Sequence, residues 1–158
     1  LPHGIYQANG NVALNSHTFV GNQNYVFLIN GTVTIRGNIL VPSGANSSVV
    51  FAAADNIIVP ATVGSAALAT TPNLSGIYST DDSFVLQSTN ACTDLRLNLE
   101  GTLIVNADRN GGGLQNNRDL CGNNPTAPTM QLTQRLDFVL NLPDFMRSQQ
   151  ITSKEVAP

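Results

Sequence analysis

The sequence predicts an all-β protein of 158 residues, folded as a short right-handed parallel β-solenoid with a C-terminal cap. The main observation is a repeated unit: an apolar strand, a two-residue polar corner, a second apolar strand and a looser return segment. The second corner residues are Gly31, Asn56, Asp82 and Gly101, roughly 19–26 residues apart, which is the period of one solenoid coil. Before residue 107 no helix-length stretch keeps apolar residues at helical spacing without a Gly, Pro or Asn interruption.

Each repeated unit supplies two strands of one coil. Strands that stack in parallel are covered by their neighbours, so small residues such as those at 52–54 fit the same pattern as Val, Ile and Leu. A further short strand is predicted at 39–41, after the bend at Gly37. The paired strands are predicted at 24–29 with 32–36, 49–54 with 57–60, 76–80 with 84–87, and 95–99 with 103–106.

The chain is predicted to form a single domain, residues 1–158. Residues 1–23 form an N-terminal strand or cap segment, 24–106 the solenoid core, and 107–158 a loop-rich C-terminal cap. A cap is expected because the open end of a solenoid invites edge-to-edge growth.

Two further elements are predicted within the C-terminal cap. Residues 136–142 have the pattern of a strand that runs into one helical turn near Pro143. Residues 151–158 supply an edge strand or the end of the cap.

A β-sandwich built from hairpins is the alternative fold. It would need turns every 8–12 residues or so, and the sequence supplies some of them. The solenoid is favoured because strand–corner–strand units recur with long returns between them, rather than as evenly spaced hairpins.

The surface composition is polar but poor in charge. Charged residues make up 11% of the chain, the net charge is −3, and Lys154 is the only lysine. No basic run exists to bind nucleic acid or an anionic membrane surface, and no apolar stretch is long enough to span a bilayer. Asn, Thr, Ser and Gly replace the missing charges, as in secreted β proteins, so we expect an extracellular or cell-surface location.

The two cysteines, Cys92 and Cys121, are candidates for a disulfide. An even number of cysteines in a chain with this surface favours a bridge. Two independent thiols remain the alternative, because two residues are a small basis for an argument from parity.

Few residues could support chemistry. Asp81 and Asp82 form the only adjacent acidic pair, a weak candidate for calcium binding or acid–base work, but their place at a strand corner favours a turn. His3 and His17 have no acidic residue nearby in the sequence, which speaks against a zinc site or a catalytic triad. No catalytic residue, metal site or cofactor is therefore predicted.

Arg118 and Asp119 form a charged pair in a charge-poor protein. The pattern favours a structural role in which Arg118 braces the C-terminal cap through Asp119, Asp137 or Glu155.

From residue 25 onward, the chain resembles a known family. The similarity rests on five segments: Gly76-Ile77-Tyr78, residues 97–104, residues 117–120, residues 138–143 and the terminal residues 155–158. In these it is similar to the C-terminal β-solenoid-like domain of envelope or pilus-associated surface proteins of ultra-small uncultivated bacteria, an uncharacterised family. The resemblance implies a cell-surface domain and supplies no enzymatic activity or catalytic residues.

These observations favour a non-catalytic extracellular structural or adhesive module, part of a pilus or envelope assembly. Its partners would be proteins, through self-association or envelope contacts, or a surface glycan. The alternative is a carbohydrate-binding or β-helix polysaccharide-active module. The absence of Trp weighs against it, because sugar rings are usually stacked on exposed aromatic side chains.

Overall fold

A computed structural model of the chain describes residues 2–44, 46–107, 111–143 and 146. Strands dominate this part of the chain. In chain order, the elements are β1 (Gly4–Asn9), β2 (Val12–Leu14), β3 (His17–Thr18), β4 (Asn24–Asn30), β5 (Val33–Ile35), β6 (Ile39–Leu40), β7 (Ser48–Ala53), β8 (Ile57–Val59), β9 (Leu74–Thr80), β10 (Phe84–Leu86), β11 (Leu97–Ile104), β12 (Leu114–Asn116), a 3₁₀ helix (Cys121–Asn123), β13 (Met130–Thr133) and α1 (Leu136–Leu140).

The strands form two stacked parallel sheets. The first sheet runs β1-β4-β7-β9-β11-β13, with β3 and β6 joined to it, and the second runs β2-β5-β8-β10-β12. Every pairing between these named strands is parallel. Hairpins would give antiparallel pairs, so the predicted β-solenoid is confirmed and the β-sandwich is excluded.

The solenoid also includes strands on both sides of the predicted core of residues 24–106. On the N-terminal side, β1 and β2 form a first coil, paired with β4 and β5. On the C-terminal side, β12 and β13 continue the two sheets within the segment predicted to be a cap. The four-residue β13 and three-residue β12 were missed because their Gln, Asn and Thr residues carry little apolar signal.

A column of aromatic rings lies inside the solenoid, on the inner face of the first sheet. Tyr6, Phe27, Phe51 and Tyr78 occupy the same register on β1, β4, β7 and β9. Their successive ring centroids are 5.4, 5.0 and 5.4 Å apart, with stacked planes. Such spacing is favourable for aromatic pairs, and the parallel register places one ring above the next in each coil. Burial raises the pKa of the Tyr78 hydroxyl.

Side-chain oxygens of Asn hold successive coils together at the corners and strand ends. In each case the side-chain carbonyl oxygen of Asn accepts a hydrogen bond from a backbone N–H of the next coil. The backbone N–H thus finds an acceptor without the use of a charged residue. These bonds are Thr32 to Asn11 (3.0 Å), Ser48 to Asn24 (2.9 Å), Ser83 to Asn56 (3.1 Å) and Asn98 to Asn73 (3.0 Å). The Asn-rich composition thus has a structural use.

Three of the four predicted corners are correct, and the fourth, Gly101, is wrong. Gly31, Asn56 and Asp82 lie between strands, but Gly101 lies inside the continuous strand β11. It pairs in register with Gly76 of β9. A Cβ atom at Gly101, where φ is +141°, would lie 1.9 Å from the Gly76 carbonyl oxygen. The glycine is therefore required by close strand packing rather than by a turn.

The segment predicted as a strand at 136–142 instead contains the helix α1. Val26, Val50 and Ile77 alternate with the inward-pointing rings and so face outward, yet they are buried. The reason is that α1 packs against β7 and inserts the fully buried Phe138 there. The apolar spacing that resembled a strand thus belongs to a short helix lying on the outer face of the sheet. The predicted tail strand, residues 151–158, lies outside the described residues.

Candidate functional site

The disulfide predicted from the sequence is present. Cys92 and Cys121 are bonded, with their Cα atoms 5.4 Å apart, a separation typical of disulfides. The bridge ties the loop before β11 to the 3₁₀ helix, across 29 residues of sequence. It therefore fixes the return segments of two successive coils to each other.

Asp94, two residues after the first cysteine, is the centre of a hydrogen-bond cluster. Its carboxylate accepts bonds from the Ser88 hydroxyl (2.6 Å), the Thr89 amide (2.7 Å), the Thr89 hydroxyl (2.8 Å) and the Asp119 amide (2.8 Å). Burial by itself raises the pKa of the Asp94 carboxyl, but these hydrogen bonds outweigh it and hold the pKa well below its usual range. Asp94 is thus an ionised structural acceptor.

Arg118 braces the solenoid through backbone carbonyl groups. Its guanidinium donates to the carbonyl oxygens of Leu95 (2.7 Å) and Pro60 (2.8 Å), which lie on the returns of different coils. Burial lowers the pKa of Arg118 to about 10, opposed by the charge of Asp94, so the side chain stays protonated at neutral pH. Its bonding partners differ from the carboxylates that the sequence suggested.

The three carboxylates expected to partner Arg118 are placed as follows. The Asp119 carboxylate accepts bonds from the Cys121 amide (2.7 Å) and the Asn124 side chain (2.5 Å). Asp137 is paired with Arg135. Glu155 lies outside the described residues. Asp119 therefore stabilises the 3₁₀ helix beside the disulfide. Arg118 fastens the predicted cap segment to the core through the carbonyl oxygens of Leu95 and Pro60 instead of a carboxylate, and the arginine that pairs with Asp137 is Arg135.

Buried arginines serve the same purpose at two further places. Arg96 donates to the Ala67 carbonyl oxygen (3.1 Å), and Arg135 to those of Val41 (2.8 Å) and Pro42 (3.2 Å). The Arg135 guanidinium also lies 4.0 Å from the centroid of the Phe138 ring. A planar guanidinium with five donors suits such multiple bonding better than an ammonium group does, which gives a physical reason for a composition rich in Arg relative to Lys.

Hydrogen bonds from Arg135 hold the pKa of the Asp137 carboxyl below its usual range, against the opposing effect of burial. Sequence analysis missed the roles of Asp94, Arg96 and Arg135. Backbone carbonyl acceptors leave no trace in a sequence, and the scarcity of charged residues was the only available signal.

An open polar cleft adjoins the Asp94 cluster. It has a volume of about 490 Å³ and is lined by Ala61, Gln87, Ser88, Asn90 and Asn117. Amide and hydroxyl groups dominate the lining, and the nearby carboxylate of Asp94 is already occupied by four hydrogen bonds. The cleft can offer neutral hydrogen-bonding groups to a ligand.

The acidic pair Asp81–Asp82 lies at the corner between β9 and β10, where the turn interpretation places it. The Asp82 carboxylate accepts a bond from the Ser83 hydroxyl (3.1 Å), and the Asp81 amide donates to the Ala53 carbonyl oxygen (3.0 Å). Both residues are half-buried. With these contacts, Asp81 and Asp82 form a hydrogen-bonded corner between the two strands.

The histidines are not part of a shared site. His17 lies on β3 with its ring edge against Phe19, at a centroid distance of 4.6 Å. His3 precedes β1. Within the described ranges, no group of three or more His, Cys, Asp or Glu residues is arranged to hold a metal ion.

No protein-family model, curated protein or solved structure matches this chain. None of the helices in the described ranges is long and apolar enough to cross a membrane.

Proposed function

We propose that the chain is a non-catalytic structural or adhesive module at an extracellular surface, within a pilus or envelope assembly. The observation that best supports this is the use of its few charged side chains. The buried arginines and Asp94 are engaged in bonds that fasten one coil or return segment to another. An enzyme needs titratable groups left available for its substrate.

The disulfide supports the location. Such bonds form and persist in oxidising compartments outside the cytosol. A solenoid closed by a disulfide and held together at its corners by uncharged amides suits a rigid surface element.

Localisation on the source cells tests the proposal directly. An antibody against the folded domain is expected to label intact cells, and the protein recovered from them should carry the Cys92–Cys121 bond. Labelling that requires permeabilisation, together with two free thiols, would refute the surface location.

A carbohydrate-binding role is the second candidate, and the polar cleft favours it. A glycan-array screen of the wild-type domain tests it, with Asn117→Ala as the cleft variant and Gln7→Ala, on the exposed face of β1, as the matched control. Saturable binding to one glycan class that only Asn117→Ala weakens would replace the structural role. The structural module is expected to show no saturable binding, and no release of reducing ends from polysaccharides.

A further inference from the structure

A groove crosses the outer face of the first sheet beside the start of α1. It has a volume of about 360 Å³, within the range of ligand sites. Its floor is a row of outward-pointing side chains in register on four adjacent strands, about 4.8 Å apart. These are Thr18 of β3, Leu40 of β6, Ser75 of β9 and Glu100 of β11. The row is therefore about 14 Å long, and we call the site the Glu100 groove.

The walls of the Glu100 groove are apolar and held in place. Val41, Pro42 and Pro72 line it beside Leu40. Arg135, at the start of α1, donates to the carbonyl oxygens of Val41 (2.8 Å) and Pro42 (3.2 Å). Because these bonds fix one wall, the groove offers a preformed surface that suits a hydrocarbon chain.

Glu100 places an unmatched negative charge in this groove. Of the described residues that line it, Glu100 alone is charged. Its side chain is 30% exposed, and its Oε2 atom lies 3.6 Å from Arg135, beyond the length of a hydrogen bond. Arg135 is already bonded to both carboxylate oxygens of Asp137, at 3.1 and 2.5 Å. One positive and two negative groups leave this cluster with a net charge of −1, which attracts a cation.

Ser75 supplies a second acceptor next to Glu100. The two residues pair in register on neighbouring strands, and Ser75 is only 1% exposed. Within the described ranges, the Ser75 hydroxyl has no hydrogen-bond partner, and the one side-chain bond to this residue reaches its backbone carbonyl from Tyr78. A buried hydroxyl without a partner is unfavourable, so a ligand that donates to Ser75 would remove this cost.

We propose that the Glu100 groove binds the side chain of a lysine from a partner protein. The ammonium group donates to the Oε1 atom of Glu100 and to the Ser75 hydroxyl, and the four-carbon stem lies along the apolar walls. Lysine fits better than arginine because Oε2 of Glu100 faces Arg135, and a guanidinium binds a carboxylate best through both oxygens. The inference rests on the assembly function proposed above and names the chemistry of the partner.

Fluorescence anisotropy tests the contact with the full chain. The probe is a short glycine–alanine peptide with one central lysine, labelled with fluorescein at its N-terminus and amidated at its C-terminus. We expect saturable binding that weakens as salt is added, because the ion pair is partly exposed. The same peptide with acetyl-lysine should not bind, and the arginine peptide should bind more weakly. Equal binding of the acetylated peptide would overturn the proposal, and so would n-butylamine that competes as well as the peptide, because a free amine would then be sufficient.

Three variants locate the site. Glu100→Gln keeps the size of the side chain and removes its charge, so the dissociation constant should rise at least about tenfold. Ser75→Ala removes one acceptor and should raise it about fivefold. Asp81→Asn removes the same charge at a corner outside the groove and should leave binding unchanged. Thermal unfolding shows whether each variant keeps its fold. Binding that Glu100→Gln and Ser75→Ala leave unchanged would refute the site.

The amide signals in nuclear magnetic resonance spectra of the wild type give a measurement that needs no variant. The lysine peptide should shift the signals of Leu40, Ser75 and Glu100 and leave that of Asn117 in the polar cleft unchanged. Shifts at Asn117 alone would overturn the proposal.

The chain's own lysine is the alternative occupant. Lys154 lies outside the described residues, and the variant Lys154→Ala tests it. Equal binding of the peptide by wild type and Lys154→Ala is expected. Binding by Lys154→Ala alone would assign the groove to Lys154 and refute the partner contact. Cell labelling tests the surface location separately, so either hypothesis can fail without the other.

Discussion

Replacing Asp94 with Asn tests whether the hydrogen-bond cluster beside the disulfide stabilises the fold. The substitution keeps the size of the side chain and one carbonyl oxygen, which can still accept from Thr89. It replaces the oxygen that accepts from the Ser88 hydroxyl and the Asp119 amide by an NH₂ group. That group is a donor, so the Asp119 amide loses its acceptor.

The expected loss follows from these two bonds. A hydrogen bond to a charged group contributes about 1.5–3 kcal/mol. Because Asp119 is solvent-exposed, the lower value applies, and the free energy of unfolding should fall by about 3 kcal/mol. For a domain of this size the melting temperature would fall by about 6–12 °C.

Urea denaturation followed by circular dichroism measures this loss at pH 7. Asp81→Asn is the matched control, because Asp81 sits at a half-buried corner and its side chain is not part of the cluster. Its unfolding free energy should change by less than about 0.5 kcal/mol. If Asp94→Asn were as stable as Asp81→Asn, the cluster would have no stabilising role.

The stability difference between the wild type and Asp94→Asn should also depend on pH. The pKa of Asp94 is lowered in the folded state, so the unfolded chain binds more protons at acidic pH. The stabilisation of the folded state by ionised Asp94 is complete above the ordinary aspartate pKa of about 4. It declines as the pH falls below that value toward the lower pKa that Asp94 has in the folded state. The stability difference between wild type and Asp94→Asn should shrink over that acidic range. A difference that stays constant down to the lowest accessible pH would contradict the assignment.

Three further predictions concern the fold. Replacing both Cys92 and Cys121 with Ser should lower the unfolding free energy by about 3–4 kcal/mol, because the unfolded chain regains the entropy of the 29-residue loop. Urea denaturation of this variant beside the oxidised wild type measures the loss, and equal midpoints would contradict the prediction. Phe51→Ala should cost about 3–5 kcal/mol because it opens a cavity in the aromatic column, with near-ultraviolet circular dichroism reporting the lost ring packing. Gly101→Ala should strongly destabilise the fold because its Cβ atom would overlap a carbonyl oxygen, whereas Gly122→Ala, where nothing lies within 4 Å, should have little effect in the same melting assay.

The solenoid could be predicted because its determinants are local. Apolar strands flanked by Asn, Asp or Gly at a corner recur along the chain, and Gly31, Asn56 and Asp82 all lie at corners. Gly101 shows the limit of that approach. The same residue type serves both a turn and a close approach between strands, and only the register with Gly76 distinguishes the two.

The candidate site was harder to predict from the sequence than the fold was. The cysteine count favoured the disulfide, but Arg118 binds main-chain oxygens that any residue could supply. No structural role was predicted for Asp94, because its partners Ser88 and Thr89 come close to it only when the return segment folds back. The helix α1 escaped prediction because Phe138 is buried by a sheet distant in sequence.

The unequal coil lengths have a consequence for how this domain can change. The separation between bonded residues of adjacent coils is 21, 24, 27 and then 25 residues, yet β2, β5, β8 and β10 each keep three residues. The additional residues are therefore accommodated in the return segments, where the buried arginines donate hydrogen bonds to backbone carbonyl groups. Loops of foreign sequence inserted there would be displayed along one side of the molecule while the strand register stays intact, so evolution or an engineer could diversify that side coil by coil.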